Sequence, residues 1–204
     1  MKIQPYVEKL EASEKYKEFK EKYKDSFLVA GFFIIDLETK QNIHQIDYYL
    51  PSENKVAAFT LDGEVNLQIL NTMGKKVPET LDLKTNVDLD ALQGILEDGM
   101  KNRNMTEKIK KMIAVIQTME GKKVWVMNCV LSGLEILKAN IDDETQNILK
   151  MEKSSILDYV KTMPGRDPSQ MQKGEPTKED LDKEIEQLDK LKEALTKEKE
   201  TLKK

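Results

Sequence analysis

The chain contains one histidine and one cysteine, which limits the nucleophilic and metal chemistry that it can perform. A single imidazole excludes a metal site built on several histidines. In the segment 43–50, His44 has the same strand parity as Ile46, so we expect a half-buried structural histidine on an apolar face. Cys129 has the same parity as Trp125 and is therefore expected to be a small core residue.

A catalytic pair of Cys129 and His44 is the sharpest enzymatic hypothesis that these two residues allow. It requires the side chains to lie within about 3–4 Å of each other and the thiolate to be stabilised. Neither residue is flanked by a helix start or a basic neighbour that could stabilise a thiolate. We therefore predict no catalytic residue.

Four aspartates lie close to the predicted ends of strands, where paired carboxylates could bind a metal or act as acid and base. They are Asp36, Asp47, Asp142 and Asp143. Such chemistry needs a shared cleft, whereas solvated aspartate is common in turns. We expect turn residues, and we predict neither a metal site nor a cofactor site.

The balance of charge argues against nucleic acid as a partner. The chain has 33 basic and 37 acidic residues and a net charge of −4, whereas a nucleic-acid binder needs a basic surface to neutralise phosphate. The first residues carry no apolar signal region, and no apolar stretch reaches about 18 residues. One cysteine cannot form an internal disulfide, which fits a reducing compartment. We expect a soluble, cytoplasmic protein that binds neither nucleic acid nor membranes.

The first half of the chain predicts one helix followed by strands. An amphipathic helix is expected from Pro5 to about Asp25. The almost continuous apolar run 26–37 is typical of a strand in the middle of a sheet. Further strands, separated by turn residues, are predicted at 43–50, 55–61 and 64–73.

The second half predicts more helix than the first. Asp88 is the expected cap of a helix that ends near Met100, and Thr106 is the expected cap of a helix over 106–120. The second of these has apolar residues at helical spacing: Ile109, Met112, Ile113, Ile116 and Met119. The remaining segments predict strands at 124–131, 134–141 and 148–152 and a short helix at 154–163. The predicted fold class is α+β, a mainly antiparallel sheet of about six or seven strands covered by helices.

A short motif recurs in the two halves. Ile35-Asp36-Leu37-Glu38-Thr39 and Ile141-Asp142-Asp143-Glu144-Thr145 each follow a predicted strand. One interpretation is a duplicated helix-plus-hairpin unit, and the other is that Asp, Glu and Thr are common turn residues. The hairpin 125–148 also resembles PepSY-type domains through its Asp142-x-x-Thr145 turn, although the glycine usual after the threonine is missing. No function is carried over from this resemblance.

The last segment, 177–204, shows the strongest sign of an interaction. It follows a predicted globular domain, 1–163, and a Pro- and Gly-rich linker, 164–176. It predicts a charged, coiled-coil-like helix with leucine at every seventh residue. The expected partner-binding residues are Leu181, Ile185, Leu188, Leu191, Leu195 and Leu202. Two alternatives remain: the helix folds back on its own domain, or it stays solvated.

These features favour a cytoplasmic, non-enzymatic binding or scaffold protein, which binds a protein partner or a second copy through 177–204. The competing hypothesis is a small enzyme, or a small-ligand-binding domain, with a pocket between sheet and helices that involves His44.

Overall fold

The computed structural model describes residues 2–72 and 76–155, and this part of the chain is built around one antiparallel sheet of eight strands. In chain order the strands are β1 (Phe27–Asp36), β2 (Ile43–Leu50), β3 (Lys55–Thr60), β4 (Asn66–Asn71), β5 (Ile109–Met119), β6 (Lys122–Leu131), β7 (Glu135–Asp142) and β8 (Ile148–Ser155). Their order across the sheet is β4-β3-β2-β1-β5-β6-β7-β8. The strands β1 and β5 therefore lie side by side at the centre, and β4 and β8 form the edges.

In the described part of the chain, three short α-helices pack on one face of this sheet. They are α1 (Gln4–Glu11), α2 (Glu14–Lys22) and α3 (Leu92–Lys101), the last preceded by a 3₁₀ helix, Leu89–Ala91. Their buried side chains join a core with the strand residues of that face, such as Phe33, Ile46 and Trp125. No helix in the described part of the chain is long and apolar enough to cross a membrane. Here we call the helix-covered side of the sheet the core face and the other side the open face.

The predicted fold class, a sheet covered by helices, is wrong in its share of helix. Residues 109–119, which have helical spacing, form the central strand β5. β5 lies between β1 and β6 in the middle of the sheet. Every residue from Met112 to Ile116 is apolar, so both faces of this part of the strand carry apolar side chains. Such a run satisfies helical and strand spacing at once, and its β-branched Ile113 and Val115 favour the strand.

Two more helix predictions need correction. The single helix expected from Pro5 to Asp25 is broken at Ser13, whose extended backbone ends α1 and whose hydroxyl accepts a hydrogen bond from the N–H of Tyr16 to start α2. Ser154 and Ser155, the first residues of the helix expected at 154–163, belong to β8. By contrast, the strand predicted at 43–50 is confirmed with both of its ends.

Of the two interpretations of the recurring motif, the duplicated helix-plus-hairpin unit does not match the described residues, in which each half has four strands after its helices. Each half of the sheet is a four-stranded meander that starts at the centre, β1 to β4 on one side and β5 to β8 on the other. Asp36 ends β1, the first strand of its half, whereas Asp142 ends β7, the third strand of the other half. The recurring motif thus occupies positions that do not correspond, and the turn-residue interpretation explains it.

The coiled coil expected for this protein is not found in the part that the structure describes, which is rich in sheet and whose longest α-helix, α3, has 10 residues. The chain divides into two units, and the sheet belongs to the first, Met1–Val160. The predicted linker 164–176 and the leucine-striped segment 177–204, with all six of its expected partner-binding residues, lie outside the described residues.

Candidate functional site

His44 is held on the core face by a carboxylate and two aromatic rings. Its Nδ1 lies 2.7 Å from Asp62 Oδ1, and its backbone N–H donates to Asp62 Oδ2 at 2.6 Å. The ring stacks on Tyr6, with 4.8 Å between centroids, and meets the edge of Phe33. Asp62 thus closes the turn that follows β3 back onto β2. These contacts explain why a polar ring is placed there: it joins α1, β2 and the β3–β4 turn.

Cys129 is fully buried in the core and is far from His44. Between their strands β6 and β2 lie β5 and β1, so the two residues are separated by three strand spacings, about 14 Å. Burial raises the pKa of the Cys129 thiol to about 12. A thiol that stays protonated and lies beyond reach of the imidazole cannot serve as the nucleophile of a Cys–His pair.

Asp36 and Asp142 organise two turns of the same design. Asp36 Oδ1 accepts the backbone N–H groups of Glu38 and Thr39, and Asp142 Oδ1 accepts the N–H and hydroxyl of Thr145. These bonds lower the pKa of both carboxyls, and Lys111, 3.0 Å from Asp36, lowers that of Asp36 further. The residue after each threonine, Lys40 or Gln146, is left-handed, with φ near 60°.

These two aspartates cannot act as a catalytic pair. Since β1 and β7 run in opposite directions, Asp36 and Asp142 lie at opposite ends of the sheet. Within the described residues, no group of three or more His, Cys, Asp or Glu side chains is arranged to hold a metal ion. Both carboxylates are used in shaping the backbone of a hairpin.

Asp143 is a fully buried carboxylate that accepts three N–H groups. Its Oδ1 accepts Trp125 Nε1 at 3.0 Å and the N–H of Val87 at 3.1 Å, and its Oδ2 accepts the N–H of Asn86 at 2.9 Å. The bonds tie the β7–β8 turn to the segment before α3 and to the core tryptophan. Because all three donors belong to the fold itself, Asp143 is a structural anchor and not a solvated turn residue.

The open face of the sheet has an apolar centre of partly buried side chains. Cross-strand pairing places Phe32 beside Val115 and Ile34 beside Ile113, and Val126 continues the first row on β6. Each lies on the side opposite to its core neighbour, because successive strand residues alternate. The helices of the described part of the chain all bury their side chains in the core face. Within residues 2–72 and 76–155, these five side chains, the apolar centre, therefore have no helix over them.

The apolar centre is bordered by polar groups. Gln45 and Gln117 flank it on β2 and β5. On β6 to β8 the face is shaped into a shallow groove of about 150 Å³, whose polar lining includes Asn128, Asn140 and Lys150. An apolar middle with amides around it is the arrangement found where one protein surface is covered by another.

Asp47 places a carboxyl group at the edge of the apolar centre. Its cross-strand neighbours are Ala30 and Ala58, which offer it no polar contact, and Gln45 Nε2 donates to its Oδ1 at 2.8 Å. Burial, only partly offset by the Gln45 hydrogen bond, raises the pKa of Asp47 to about 6. This carboxyl can therefore change charge in a mildly acidic solution, which a solvated turn aspartate cannot.

A cavity of about 510 Å³ lies between α3 and the sheet. Leu37, Met100, Met105 and Ile109 form its apolar part, and its polar groups include the Lys40 and Glu97 side chains. His44 is not among its lining residues. The sequence-based alternative placed His44 in a pocket between sheet and helices, and this cavity is built from other side chains.

Next to this cavity, two glutamates share one lysine. Lys153 on β8 contacts Glu107, which also lines the cavity, and lies 3.1 Å from Glu135 Oε2. Lys153 lowers the pKa of Glu107 to about 2, and the carboxylates raise that of Lys153. Sequence spacing gives no sign of this cluster, because Glu107 precedes β5, Glu135 begins β7 and Lys153 lies near the end of β8, so the three meet only across the sheet.

No family model matches the chain, and no curated protein matches it. Among solved structures, the described fold is similar to a putative lipoprotein from Clostridium difficile 630, at 15% sequence identity and a TM-score of 0.46; the match covers 69% of this chain and 90% of that one. A likeness at this level carries no argument about function or location.

Proposed function

We propose that this protein is a non-enzymatic binding protein that holds a segment of a partner protein against the open face of its sheet. The observation that carries the proposal is the apolar centre, Phe32, Ile34, Ile113, Val115 and Val126, over which the described residues place no helix. A contiguous apolar patch rimmed by polar groups is typical of a protein interaction site.

The dimensions and polar groups of the open face favour an amphipathic helix as the partner segment. The apolar centre extends over three strands, about 10 Å between the outer two, which is close to the diameter of a helix with its side chains. Asp47 at its edge offers a carboxyl whose one polar contact within residues 2–72 and 76–155 comes from Gln45. The partner helix thus carries an apolar stripe and, beside the stripe, a lysine or arginine that pairs with Asp47.

The leucine-striped segment 177–204 supplies a second interaction element in this proposal. Its support is the seven-residue recurrence of leucine alone, which leaves an apolar stripe that needs a cover. With the domain bound to one partner segment and 177–204 to another protein surface, the chain acts as a scaffold. A buried, unpaired Cys129 suits a reducing compartment such as the cytoplasm.

Site-directed photo-crosslinking tests the open face. Ile43, 40% exposed and next to Ile34 on this face, is replaced by a photoreactive amino acid in the full chain. We expect covalent capture of an amphipathic partner segment that contains a basic residue, and weaker capture when Asp47→Asn is added. Leu149, 59% exposed on the edge strand β8, is the matched control and should capture none of it. Crosslinks from Ile43 only to residues 156–204 of the same chain, or to nothing, contradict the proposal.

The leucine stripe is tested separately in the full chain. Leu188→Asp combined with Leu195→Asp places two charges on the stripe, whereas Gln187→Asp places one beside it. We expect the double variant to lose any partner captured through 177–204 and the control to keep it. Equal capture by both variants argues against the stripe as a binding element while leaving the result at Ile43 unaffected.

The cavity beside α3 favours small-ligand binding as a second candidate function. Its volume, about 510 Å³, lies within the range of ligand pockets, and four apolar residues face a few charged groups. The ligand it fits is a small amphipathic molecule. Met105→Trp should fill the cavity, so a fluorescent fatty amine or fatty acid that binds the wild-type chain should no longer bind this variant. No binding of either probe to the wild-type chain contradicts this second function.

A further inference from the structure

The strand β4 leaves one side of its backbone unpaired in the part of the chain that the structure describes. Within residues 2–72 and 76–155, it pairs with β3 alone. Five of its six residues are exposed, including Ile69 at 39% and Leu70 at 46%. These two side chains point to opposite faces of the sheet. A strand edge that is apolar on both faces is a template for pairing with another strand.

The strand lacks the features that prevent edge pairing in natural sheets. Lysine, proline and bulges usually protect an edge, yet β4 reads Asn-Leu-Gln-Ile-Leu-Asn and pairs with β3 in unbroken register. The opposite edge, β8, carries Lys150, Glu152 and Lys153. The edge β8 is protected by charges and the edge β4 is not. This contrast suggests that β4 is available for pairing.

From these contacts we infer that two copies of this chain pair through β4, antiparallel, in a continuous sheet. The occupant is a second copy because the strand is neutral and complementary to itself. A two-fold axis midway between the two Gln68 residues, perpendicular to the sheet, places Leu67 opposite Ile69 of the second copy and Gln68 opposite its own equivalent. Asn66 then faces Leu70 of the second copy. No like charges meet, and apolar residues pair on the core face.

A groove beside the strand provides room for the second copy's side chains. It lies between α2 and β4, has a volume of about 340 Å³, and is lined by the apolar groups of Phe19, Tyr23, Leu67 and Ile69 and by the charged side chains of Lys15, Glu18 and Lys22. In the proposed pair, Ile69 of one copy lies at the mouth of the other copy's groove. Pairing thus covers the exposed Ile69 and satisfies the outward N–H and C=O groups of both strands.

Light scattering of the full chain over a dilution series measures this association. We expect a particle of twice the 23.5 kDa chain mass at high concentration, falling to the chain mass on dilution. Ile69→Lys should weaken the dimer by about tenfold or more, since a charge is then buried against Leu67 of the second copy. Leu149→Lys on β8 and the Leu188→Asp, Leu195→Asp variant should dimerise like the wild type. A wild-type chain that stays monomeric overturns the inference, as does a dimer that Ile69→Lys leaves intact.

Disulfide trapping checks the register independently. In Gln68→Cys the two introduced cysteines face each other across the axis at about 4.5–5.5 Å between Cα atoms, within disulfide range. In the control Asn66→Cys they are about 14 Å apart, because each is four residues from the position opposite the other. The native Cys129 is buried and does not interfere. We expect rapid crosslinking of the first variant alone; equal or absent crosslinking of both overturns the proposed pairing. Neither experiment depends on the open-face proposal, which concerns different residues.

Discussion

The two halves of the sheet have the same strand order but are stabilised by different means. In the first half, rings from α1 and α2 pack on rings from the strands, and Phe59 lies within 4.9 Å of Phe19 between centroids. In the second half, Trp125 donates a hydrogen bond to the buried carboxylate of Asp143, and Lys153 forms ion pairs with two glutamates. The aromatic half ends in the uncharged edge β4, and the polar half ends in the charged edge β8.

This difference separates two kinds of stabilising contact within one sheet. The first half relies on apolar packing, and the second half relies on hydrogen bonds and ion pairs. Aromatic packing buries large apolar surfaces between the helices and the strands of the first half. Hydrogen bonds to Asp143 need correct geometry, so they fix the turns and the segment before α3 in place. Four substitutions test the contrast, in order of decreasing expected effect.

Phe59→Ala should be the most damaging of the four. The ring is fully buried among Tyr16, Phe19 and Tyr48, and its removal leaves a cavity, so we expect a loss of about 3–5 kcal/mol in the free energy of unfolding. Urea denaturation followed by circular dichroism measures it. Met119→Ala, at a 45% exposed position, is the control and should change little. A loss of stability smaller than that caused by Asp143→Ala would contradict the expectation that the aromatic packing contributes more than the buried carboxylate.

Asp143→Ala should cost about 2–4 kcal/mol, since three buried N–H donors lose their acceptor. Asp143→Asn should cost less, because one oxygen remains to accept the Trp125 and Val87 groups. Trp125 fluorescence during urea unfolding reports the change directly. If alanine and asparagine cost the same small amount, the carboxylate is not the anchor of the second half.

Lys153→Met should reduce stability at neutral pH, because two carboxylates lose their shared cation. In the wild type, the pKa of Glu107 is lowered to about 2, so its contribution is full above its ordinary value and is lost as the pH falls toward 2. Over this acid range, the Lys153→Met variant should lose less stability than the wild type. An unchanged acid titration of stability would show that Lys153 does not set this pKa.

Asp47→Asn should have the smallest effect and the opposite sign. Burial raises the pKa of Asp47 to about 6, so ionisation above pH 6 destabilises the wild type, and its stability rises as the pH falls from about 6 toward 4. Asparagine does not ionise and can still accept the Gln45 hydrogen bond. We expect the variant to gain about 1 kcal/mol at pH 7.5 and nothing at pH 4. Thermal melts at the two pH values measure it, and a gain of equal size at both would contradict the assigned cause.

The sequence predicted the strands of the first half well and the centre of the second half poorly. Between β1 and β3, turn residues and alternating polarity mark each boundary, so 43–50 was identified with both ends. The central residues of 109–119 carry no polar alternation, because the open-face side chains Ile113 and Val115 are apolar like the core-face ones, and local spacing cannot separate such a strand from a buried helix. Which neighbours cover a segment is a property of the whole sheet.

The candidate sites show the same difference between features set by local sequence and features set by the whole sheet. The core positions of His44 and Cys129 follow from strand parity, which is local, and both predictions of parity hold. The Glu107–Lys153–Glu135 cluster, the cavity beside α3 and the desolvation of Asp47 join residues far apart in the chain. No spacing rule within one segment could have found them.

By itself, the sequence determined most strand positions, the turn role of Asp36 and Asp142, and the placement of its one histidine and one cysteine on apolar sides. These follow from forces between residues a few positions apart, which the order of side chains encodes directly. Only the tertiary structure decided that β5 is a strand, that Asp143 is an anchor, and that β4 is left as an open, uncharged edge. Those outcomes depend on which strands become neighbours, and strand neighbours are selected by burial across the whole sheet.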